Sequence, residues 1–429
     1  MAKSDPAGLT LRLAAIRRLQ DVLAGASFSP LSASDLGDSR DRALANRLVT
    51  TALRRQGHLN KIIFHLLDKG LPKKSGSFEA ILRLSLAQLL FLPDMGDHSA
   101  LFLAVEAAKR DPKAAHLAKL MNALLRRAQA EADDLRSGPL PILLPETLAP
   151  GWRDAYGQAA LEPFAAALLD GAPLDLTLKD PTDDQIAALG GTRLFADTVR
   201  IPDRDRPVEA LPGYAEGQWW VQDAAAALPA RLIDLPAGAR VLDVCAAPGG
   251  KTAQLIKAGY TVTALDNDAQ RLERVKTNLD RLGYAAELVV ADATAYTAKA
   301  PFDAILLDAP CSATGTFRRH PEVIWHRSQA DVATRVALQR KMLAKAWTNL
   351  APGGQLVYCV CSLEAAEGEE QMLWALANLP GIAVLPVAPD AELPRGAITY
   401  NGALRTHPAL PLETAGAMDG FFAVRFAKS

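Results

Sequence analysis

The stretch that most constrains the fold of this chain is Asp243–Thr252, which reads DVCAAPGGKT. An apolar run precedes it and a helix-like run follows it, so it predicts a strand, a tight glycine turn and a helix start. Pro248 restricts one backbone angle, and Gly249 and Gly250 lack side chains that would keep a ligand from the amides at the helix N-terminus. The stretch therefore predicts a pocket of the nucleotide-binding type.

Two cysteine motifs follow later apolar runs. They are DAPCS, ending at Ser312, and YCVCS, ending at Ser362. Because the carboxyl ends of parallel strands share one crevice in an open sheet, we expect Cys311 and Cys361 to lie in the same crevice. We interpret the thiols of Cys359 and Cys245 as inert groups that only pack, since buried cysteines commonly behave as small apolar residues.

From about residue 236 onward, strand-like and helix-like runs alternate, which predicts a doubly wound, Rossmann-like α/β domain. The strand-like runs are 241–244, 261–266, 287–292, 303–308, 355–358 and 420–426. Asp266, Asp292 and Asp308 end three of them. At these positions we expect Asp266 to accept the ribose hydroxyls of a nucleoside, Asp292 to meet its base and Asp308 to lie beside the reaction centre.

Residues 1 to about 130 show helical periodicity with little strand signal, which predicts an all-α domain. They hold 20 Lys and Arg against 11 Asp and Glu, a net charge of +9, whereas the remainder holds 27 against 37, a net charge of −10. A basic domain favours a polyanionic partner, with solvated helix faces as the alternative. The basic doublets expected to face RNA phosphate are Arg54-Arg55, Lys73-Lys74 and Arg126-Arg127.

Residues 131 to about 150 contain four prolines and predict a linker. A mixed segment that follows, to about residue 235, predicts a small α/β insert. The expected domains are therefore 1–135, 145–235 and 236–429. Trp219 and Trp220 lie on a short strand-like run of the insert, where packing is a more common role than stacking on bases.

The composition excludes several classes of protein. No apolar run approaches the ~18 residues of a membrane span, and the N-terminus lacks a signal-peptide core, so we expect a cytoplasmic protein. Four cysteines in 429 residues make neither a disulfide framework nor the paired spacing of a zinc site. We therefore expect free thiols, no metal and no membrane partner.

The class of nucleotide can be narrowed further. A Walker A loop requires glycine at the position of Cys245, and a dinucleotide enzyme requires a full GxGxxG, so neither motif is present. S-adenosylmethionine fits better. Its adenosine requires an acidic residue that binds the ribose hydroxyls and a backbone that the ligand can approach closely, and its cationic sulfonium is compatible with nearby carboxylates.

Several motifs together resemble the Nop/Sun family of RNA cytosine-5 methyltransferases. They are CAAPGGKT, ALD, ADAT, DAPCSATG with the trailing RRHPEVIW, CS after Tyr358, and MDGFF. In the N-terminal part, DRALANRLV, LRLSLAQLL and LMNALLRR resemble the NusB-like helical fold, as in the bacterial Sun/Fmu branch. One residue departs from the family pattern, because Val360 stands where a threonine usually precedes the nucleophile.

The resemblance implies an enzyme that uses S-adenosylmethionine to methylate a cytosine of small-subunit ribosomal RNA, and we expect it to be a monomer. It implies that Cys361 is the nucleophile and that Cys311 assists product release. From its place beside the reaction centre, we expect Asp308 to hold the base at N3 or the amino group. The implied cofactor-binding residues are Cys245, Ala246, Ala247, Pro248, Gly249, Gly250, Lys251, Asp266, Asp292 and Asp308. We expect Arg318, Arg319 and Arg327 to bind backbone phosphates of the RNA.

Three alternatives remain open from the sequence. Another RNA, such as tRNA, could be the substrate. A DNA-type cytosine methyltransferase would use Cys311 as the attacking residue, although the second cysteine and the basic helical domain argue against it. A non-catalytic RNA-binding assembly factor would keep the basic domain, but it would not need Cys361, the acids and the glycine turn together.

Overall fold

The computed structural model describes residues 6–202, 206–388, 393–410 and 416–429, and these form two compact units. The first unit comprises the described residues up to Pro150 together with Phe164–Leu169 and His320–His326. The described parts of Gly151–Pro163, Asp170–Arg319 and Arg327–Ser429 form the second. The division into domains 1–135, 145–235 and 236–429 stays a prediction.

Helices build the first unit, as the periodicity predicts. They are α1 (Leu9–Leu23), α2 (Ser39–Arg54), α3 (Gln56–Leu66), α4 (Phe78–Phe91), α5 (Asp97–Arg110), α6 (Ala118–Ala130) and α7 (Ala132–Arg136). Helix α4 is buried on nearly every side, which suits its almost continuous apolar sequence and makes it the centre of the core. The other long helices bury one apolar stripe each around this core.

The prediction of a linker at 131–150 is wrong. This segment contains α7 and a short 3₁₀ helix, Leu140–Leu143, and Leu144 and Leu148 are buried. Gly57 allows the segment to approach α3, since a Cβ atom there would lie 2.3 Å from the Ile142 carbonyl oxygen. The prolines therefore shape turns that pack against the helices.

Within the second unit, an antiparallel sheet has the order β2-β3-β1-β4. Its strands are β1 (Leu174–Leu178), β2 (Thr192–Phe195), β3 (Thr198–Ile201) and β4 (Trp219–Val221), and α10 (Asp183–Leu189) lies between β1 and β2 in the chain. Two helices precede the sheet in the chain: α8 (Ala149–Tyr156) and α9 (Leu161–Asp170), of which Phe164–Leu169 belong to the first unit. The β2–β3 hairpin is absent from the sequence prediction. Trp219 and Trp220 are buried, so packing is their role.

The second unit also contains an eight-stranded mixed sheet. Its elements are β5 (Arg240–Val244), α11 (Gly250–Lys257), β6 (Thr261–Asp266), α12 (Ala269–Leu282), β7 (Glu287–Val290), β8 (Phe302–Asp308), α13 (Gln329–Asn349), β9 (Leu350–Val360), α14 (Glu369–Asn378), β10 (Ile382–Val384), β11 (Leu404–Thr406) and β12 (Phe421–Lys428). The strand order is β10-β12-β9-β8-β5-β6-β7, and β11 pairs with β12. The α/β Rossmann-like class is confirmed.

Strands β5 to β9 run parallel, whereas β12 enters antiparallel between β9 and β10. The parallel register pairs Asp308 with Cys359 and Val244 with Leu265. The carboxyl ends of β5, β6, β8 and β9 therefore lie side by side. In sheets of this kind the ligand crevice is found at that edge.

Candidate active site

A sharp turn connects β5 to α11. Cys245 adopts a φ of 63° and Gly249 a φ of 102°, and the Ala247–Pro248 peptide is cis. The amides of Cys245 and Ala246 both donate to the Leu265 carbonyl, at 2.8 and 3.1 Å. These hydrogen bonds hold the turn against the end of β6, in the place that the glycine motif predicts.

Asp266, at the end of β6, braces this turn. Its carboxylate is almost wholly buried and accepts from the amides of Ala247 and Asp268, at 3.3 and 3.2 Å. The Arg271 guanidinium lies 3.4 Å away. Asp266 is thus a neighbour of the turn, and its binding to ribose hydroxyls stays a prediction.

Asp292 lies two residues beyond the end of β7, which stops at Val290. Its exposed carboxylate accepts from the amide and the hydroxyl of Thr294, both at 2.8 Å. The backbone hydrogen bond from Thr294 is the main cause that lowers the pKa of Asp292. Its contact with a base stays a prediction.

A pocket of about 150 Å³ opens at the turn. Its lining includes the predicted residues Cys245, Ala246, Ala247, Pro248, Gly250, Lys251 and Asp308, together with Gln222, Asp223, Asp243 and Arg319. Gly249, Asp266 and Asp292 are predicted site residues outside this lining. The structure thus brings most of the predicted cofactor residues around one cavity.

Asp243 also lines the pocket, although it is not among the residues predicted from the sequence. Its side chain is fully buried: one oxygen accepts from the Thr252 hydroxyl at 2.6 Å, and the other has no hydrogen-bond partner among the described residues. Burial raises the pKa of Asp243 to about 7. An acid within a buried apolar strand is the sequence signal that could have identified it, because unpaired buried carboxylates are costly.

Lys251 and Asp308 form an ion pair beside the pocket, with 2.8 Å between Nζ and Oδ2. The ammonium also lies 5.0 Å from the centre of the Phe421 ring. Burial acts to lower the pKa of Lys251, but the attraction of Asp308 more than offsets it and the net shift is upward. The lysine therefore stays charged and anchors the end of β8.

Cys311 and Cys361 form a thiol pair whose sulfur atoms are 3.5 Å apart. Cys311 follows β8 and is nearly buried, whereas Cys361 follows β9 and is partly exposed. The hydrogen bond with Cys361 and burial raise the pKa of the Cys311 thiol. Burial likewise raises the pKa of Cys359 and of Cys245, which suits their predicted inert role.

Three predicted phosphate ligands have different surroundings. Arg318 is buried against Asp419 and the Gly171 carbonyl, so its prediction as a phosphate ligand is wrong. Arg319 also pairs with Asp419, at 2.7 Å, but its side chain remains 38 % exposed and lines the pocket. Arg327 donates to the Ser312 carbonyl at 2.8 Å and so supports the loop that carries Cys311.

The basic doublets of the first unit also differ from one another. Arg54 donates to the Leu168 carbonyl and Arg55 stacks on the Phe91 ring, so this half-buried doublet has structural partners. Lys73-Lys74 and Arg126-Arg127 are exposed, although Arg127 pairs with Glu131. The contact of Lys73, Lys74 and Arg126 with RNA phosphate stays a prediction.

Comparison with known proteins decides the family. Residues 230–427 match the family 16S rRNA methyltransferase RsmB/F, and residues 10–130 match the NusB family. A protein of Pseudomonas putida named ribosomal RNA small subunit methyltransferase B is 36% identical over 441 residues, covering 97% of this chain and 98% of the relative. The chain belongs to the RsmB family of ribosomal RNA methyltransferases.

Solved structures agree with this RsmB-family fold. The crystal structure of PH0851 superposes with a TM-score of 0.75 at 22% identity, covering 99% of this chain and all of that one. A methyltransferase homolog protein from Pyrococcus horikoshii is 28% identical, with a TM-score of 0.54, and covers 66% of this chain and 94% of that one. The predicted NusB-like fold, methyltransferase class and S-adenosylmethionine cofactor are confirmed.

The residues around the pocket fit that cofactor. Gly250, the first residue of α11, lines the pocket, and one carboxylate oxygen of Asp243 has no hydrogen-bond partner among the described residues and is available to a donor group. Asp223, Asp243 and Asp308 line the same cavity together with Lys251 and Arg319, and carboxylate groups suit a positively charged sulfonium. The pocket therefore offers S-adenosylmethionine a glycine turn and several carboxylate groups.

The described residues hold neither a membrane helix nor a metal cluster. Within 6–202, 206–388, 393–410 and 416–429, no helix has the length and apolar character to cross a membrane. The same residues contain no cluster of three or more His, Cys, Asp or Glu side chains arranged for a metal ion.

Proposed function

We propose that this RsmB-family enzyme methylates C5 of one cytosine in small-subunit ribosomal RNA through a covalent bond between Cys361 and C6 of the base. The observation that carries the proposal is the thiol pair at the ends of adjacent parallel strands, with Asp308 at the end of one of them. A methyltransferase acting on a heteroatom such as nitrogen or oxygen has no comparable use for two adjacent thiols.

The chemistry of cytosine explains the need for a thiol. C5 is a poor nucleophile, but addition of the Cys361 thiolate to C6 shifts electron density onto C5. S-adenosylmethionine supplies the electrophilic methyl group that C5 then accepts. Loss of the C5 proton and expulsion of the Cys361 thiolate restore the aromatic ring. The base therefore gains a methyl group at C5 and loses one proton from the same carbon.

Roles for the other residues follow from their positions. Cys245–Lys251, Asp266, Asp292 and Asp308 would hold the cofactor, with Asp243 added as an acceptor. Asp308 would also accept a hydrogen bond from the cytosine amino group. Cys311, next to Cys361, would assist removal of the C5 proton or expulsion of the enzyme.

The exposure of the two thiols supports Cys361 as the attacking residue. Cys361 is partly exposed at the end of β9, whereas Cys311 is nearly buried and its pKa is raised by the hydrogen bond with Cys361 and by burial. The thiolate is the nucleophilic form, so these surroundings disfavour attack by Cys311. They favour the RNA-type over the DNA-type assignment.

The experiment is methyl transfer from labelled cofactor to naked small-subunit RNA, with the modified nucleoside identified and its position mapped. We expect 5-methylcytosine at a single position. A different methylated nucleoside would overturn the C5 assignment, and transfer to tRNA but not to ribosomal RNA would overturn the substrate assignment.

A further inference from the structure

One buried carboxylate links the two loops that carry the cysteines. Glu367 is fully buried, and it accepts from the amide of Ser312 at 2.9 Å and from the hydroxyl of Ser312 at 2.5 Å. It also accepts from the hydroxyl of Ser362 at 2.6 Å. Because Ser312 follows Cys311 and Ser362 follows Cys361, the same side chain binds both loops at the residue next to the thiol.

Two helices hold this carboxylate in place. Gln339 of α13 donates to Glu367 at 3.0 Å and also to the Pro310 carbonyl at 3.0 Å. Gln371 of α14 in turn donates to Gln339 at 2.8 Å. The two cysteine loops are therefore tied to the helices as well as to each other.

A buried charge needs a reason, because taking a carboxylate out of water costs several kcal/mol unless hydrogen bonds satisfy it. Four donor groups from three residues, Ser312, Ser362 and Gln339, supply those bonds here. An apolar side chain at this position would accept no hydrogen bond and would orient neither serine. Charged acceptors also form the shorter and stronger bonds.

We infer that Glu367 is a positioning residue, which fixes the separation and orientation of Cys311 and Cys361 through Ser312 and Ser362. The inference rests on the proposed two-cysteine reaction. A displacement of about 1 Å in a reacting group can slow catalysis by about 100-fold. The thiol separation of 3.5 Å is the quantity that Glu367 sets.

The first test compares Glu367→Gln with Glu370→Gln. Glutamine keeps the shape but loses the charge, and exposed Glu370 provides the same chemical change three residues away. For Glu367→Gln we expect kcat for methyl transfer to fall on the order of 100-fold, with KM for S-adenosylmethionine within about twofold of wild type. Glu370→Gln should match wild type in both.

The second test measures the thiol pair without catalysis. Diamide oxidises two neighbouring thiols to a disulfide and is itself reduced, so the rate of cross-linking between Cys311 and Cys361 reports their approach. With RNA and cofactor absent, we expect Glu367→Gln to cross-link at least about tenfold more slowly than wild type, since strained or misaligned pairs do not meet disulfide geometry. Mass spectrometry identifies the cross-link.

Equal kcat and equal cross-linking in Glu367→Gln and Glu370→Gln would overturn the inference. The proposed function fails separately, if Cys361→Ala retains wild-type methyl transfer, and the cross-linking result would still decide whether Glu367 holds the loops. Should Glu367→Gln not fold, Ser312→Ala and Ser362→Ala each remove one connection. We expect both to slow cross-linking, and wild-type rates in both would again overturn the inference.

Discussion

Cys311 and Cys361 have different surroundings, and under the proposed reaction this difference predicts different failures when each is removed. Cys361 is the more exposed thiol and lies beyond β9, where it can meet a base. Cys311 is nearly buried behind it, in contact with its sulfur atom. A nucleophile and an assisting group that differ in accessibility should act at different stages of the reaction.

Cys361→Ala should bind RNA and cofactor but transfer no methyl group, because no covalent adduct can form. Cys311→Ala should form the adduct and release it slowly, so a slowly migrating protein–RNA band should appear on a denaturing gel after incubation with S-adenosylmethionine. The double variant should give no band. Trapping by Cys361→Ala instead would reverse the two roles.

Asp243 predicts a dependence of stability on pH in the cofactor-free protein. Its pKa of about 7 in the fold exceeds the usual value near 3.9, so the folded state binds the proton more tightly. The stability that this provides is complete below about pH 4 and is lost as pH rises to about 7. The loss amounts to about 4 kcal/mol above pH 7.

Asp243→Asn cannot ionise and should escape that loss. The midpoint of urea unfolding for Asp243→Asn, relative to wild type, should therefore rise between pH 4 and pH 7. The exposed acid variant Asp154→Asn serves as the control and should show no such trend. If the difference in midpoint between Asp243→Asn and wild type did not change with pH, ionisation of Asp243 would not be the cause.

At the scale of elements, the turn between β5 and α11 depends on Gly249. Its φ of 102° disfavours any side chain, and a Cβ atom would lie 3.1 Å from Val275 Cγ1. Strain of this kind costs about 1 to 3 kcal/mol. Gly249→Ala should therefore displace the turn and weaken S-adenosylmethionine binding roughly tenfold or more, as measured by calorimetry.

The matched control for that prediction is Gly353→Ala. Gly353 also has a positive φ, of 76°, but a Cβ atom there meets nothing within 4 Å. It lies within the residue range of β9, toward the end opposite Cys361. An unchanged cofactor affinity in Gly249→Ala would show that the turn tolerates the methyl group.

How much of these elements the sequence predicts depends on the kind of signal. The parallel strands of the large sheet are predictable, because each is a short apolar run that ends in an acid or a cysteine motif. The hairpin of β2 and β3 is not, since each of its four-residue strands is interrupted by an arginine and gives no continuous apolar run. The proline-rich segment at 131–150 misleads, because prolines terminate helices whether or not the segment is packed.

The site was less predictable than the strands. Motif positions locate the turn and the two cysteines, but no local pattern shows that Glu367, 55 residues beyond Ser312, bonds both cysteine loops. Likewise the burial of Arg318 follows from Asp419, about 100 residues away, which pairs with it across the fold. Such pairings depend on the tertiary arrangement and leave no periodicity in the chain.

For the whole molecule, the main prediction concerns charge. The first 130 residues carry a net charge of +9, and the exposed pair Lys73 and Lys74 is available to phosphate. Replacing both by glutamine should weaken RNA binding and flatten its salt dependence, by roughly 0.7 to 0.9 in the log–log slope for each phosphate that is no longer neutralised. Filter binding over a range of salt concentrations measures the slope.

The control replaces exposed Lys299 and Lys341 of the second unit by glutamine. It removes the same charge elsewhere in the chain and should leave the slope nearer to that of wild type. Equal slopes in the two double variants would mean that Lys73 and Lys74 are solvated surface charges without a role in RNA binding.

The position of β12 has a consequence for the synthesis of the protein. This strand, Phe421–Lys428, lies between β9 and β10, although about 60 residues separate it from the end of β9 at Val360. At about 5 to 20 residues per second, a ribosome needs roughly 3 to 12 seconds to add them. During that time the nascent β9 has an unpaired edge, the kind of surface that chaperones protect from aggregation.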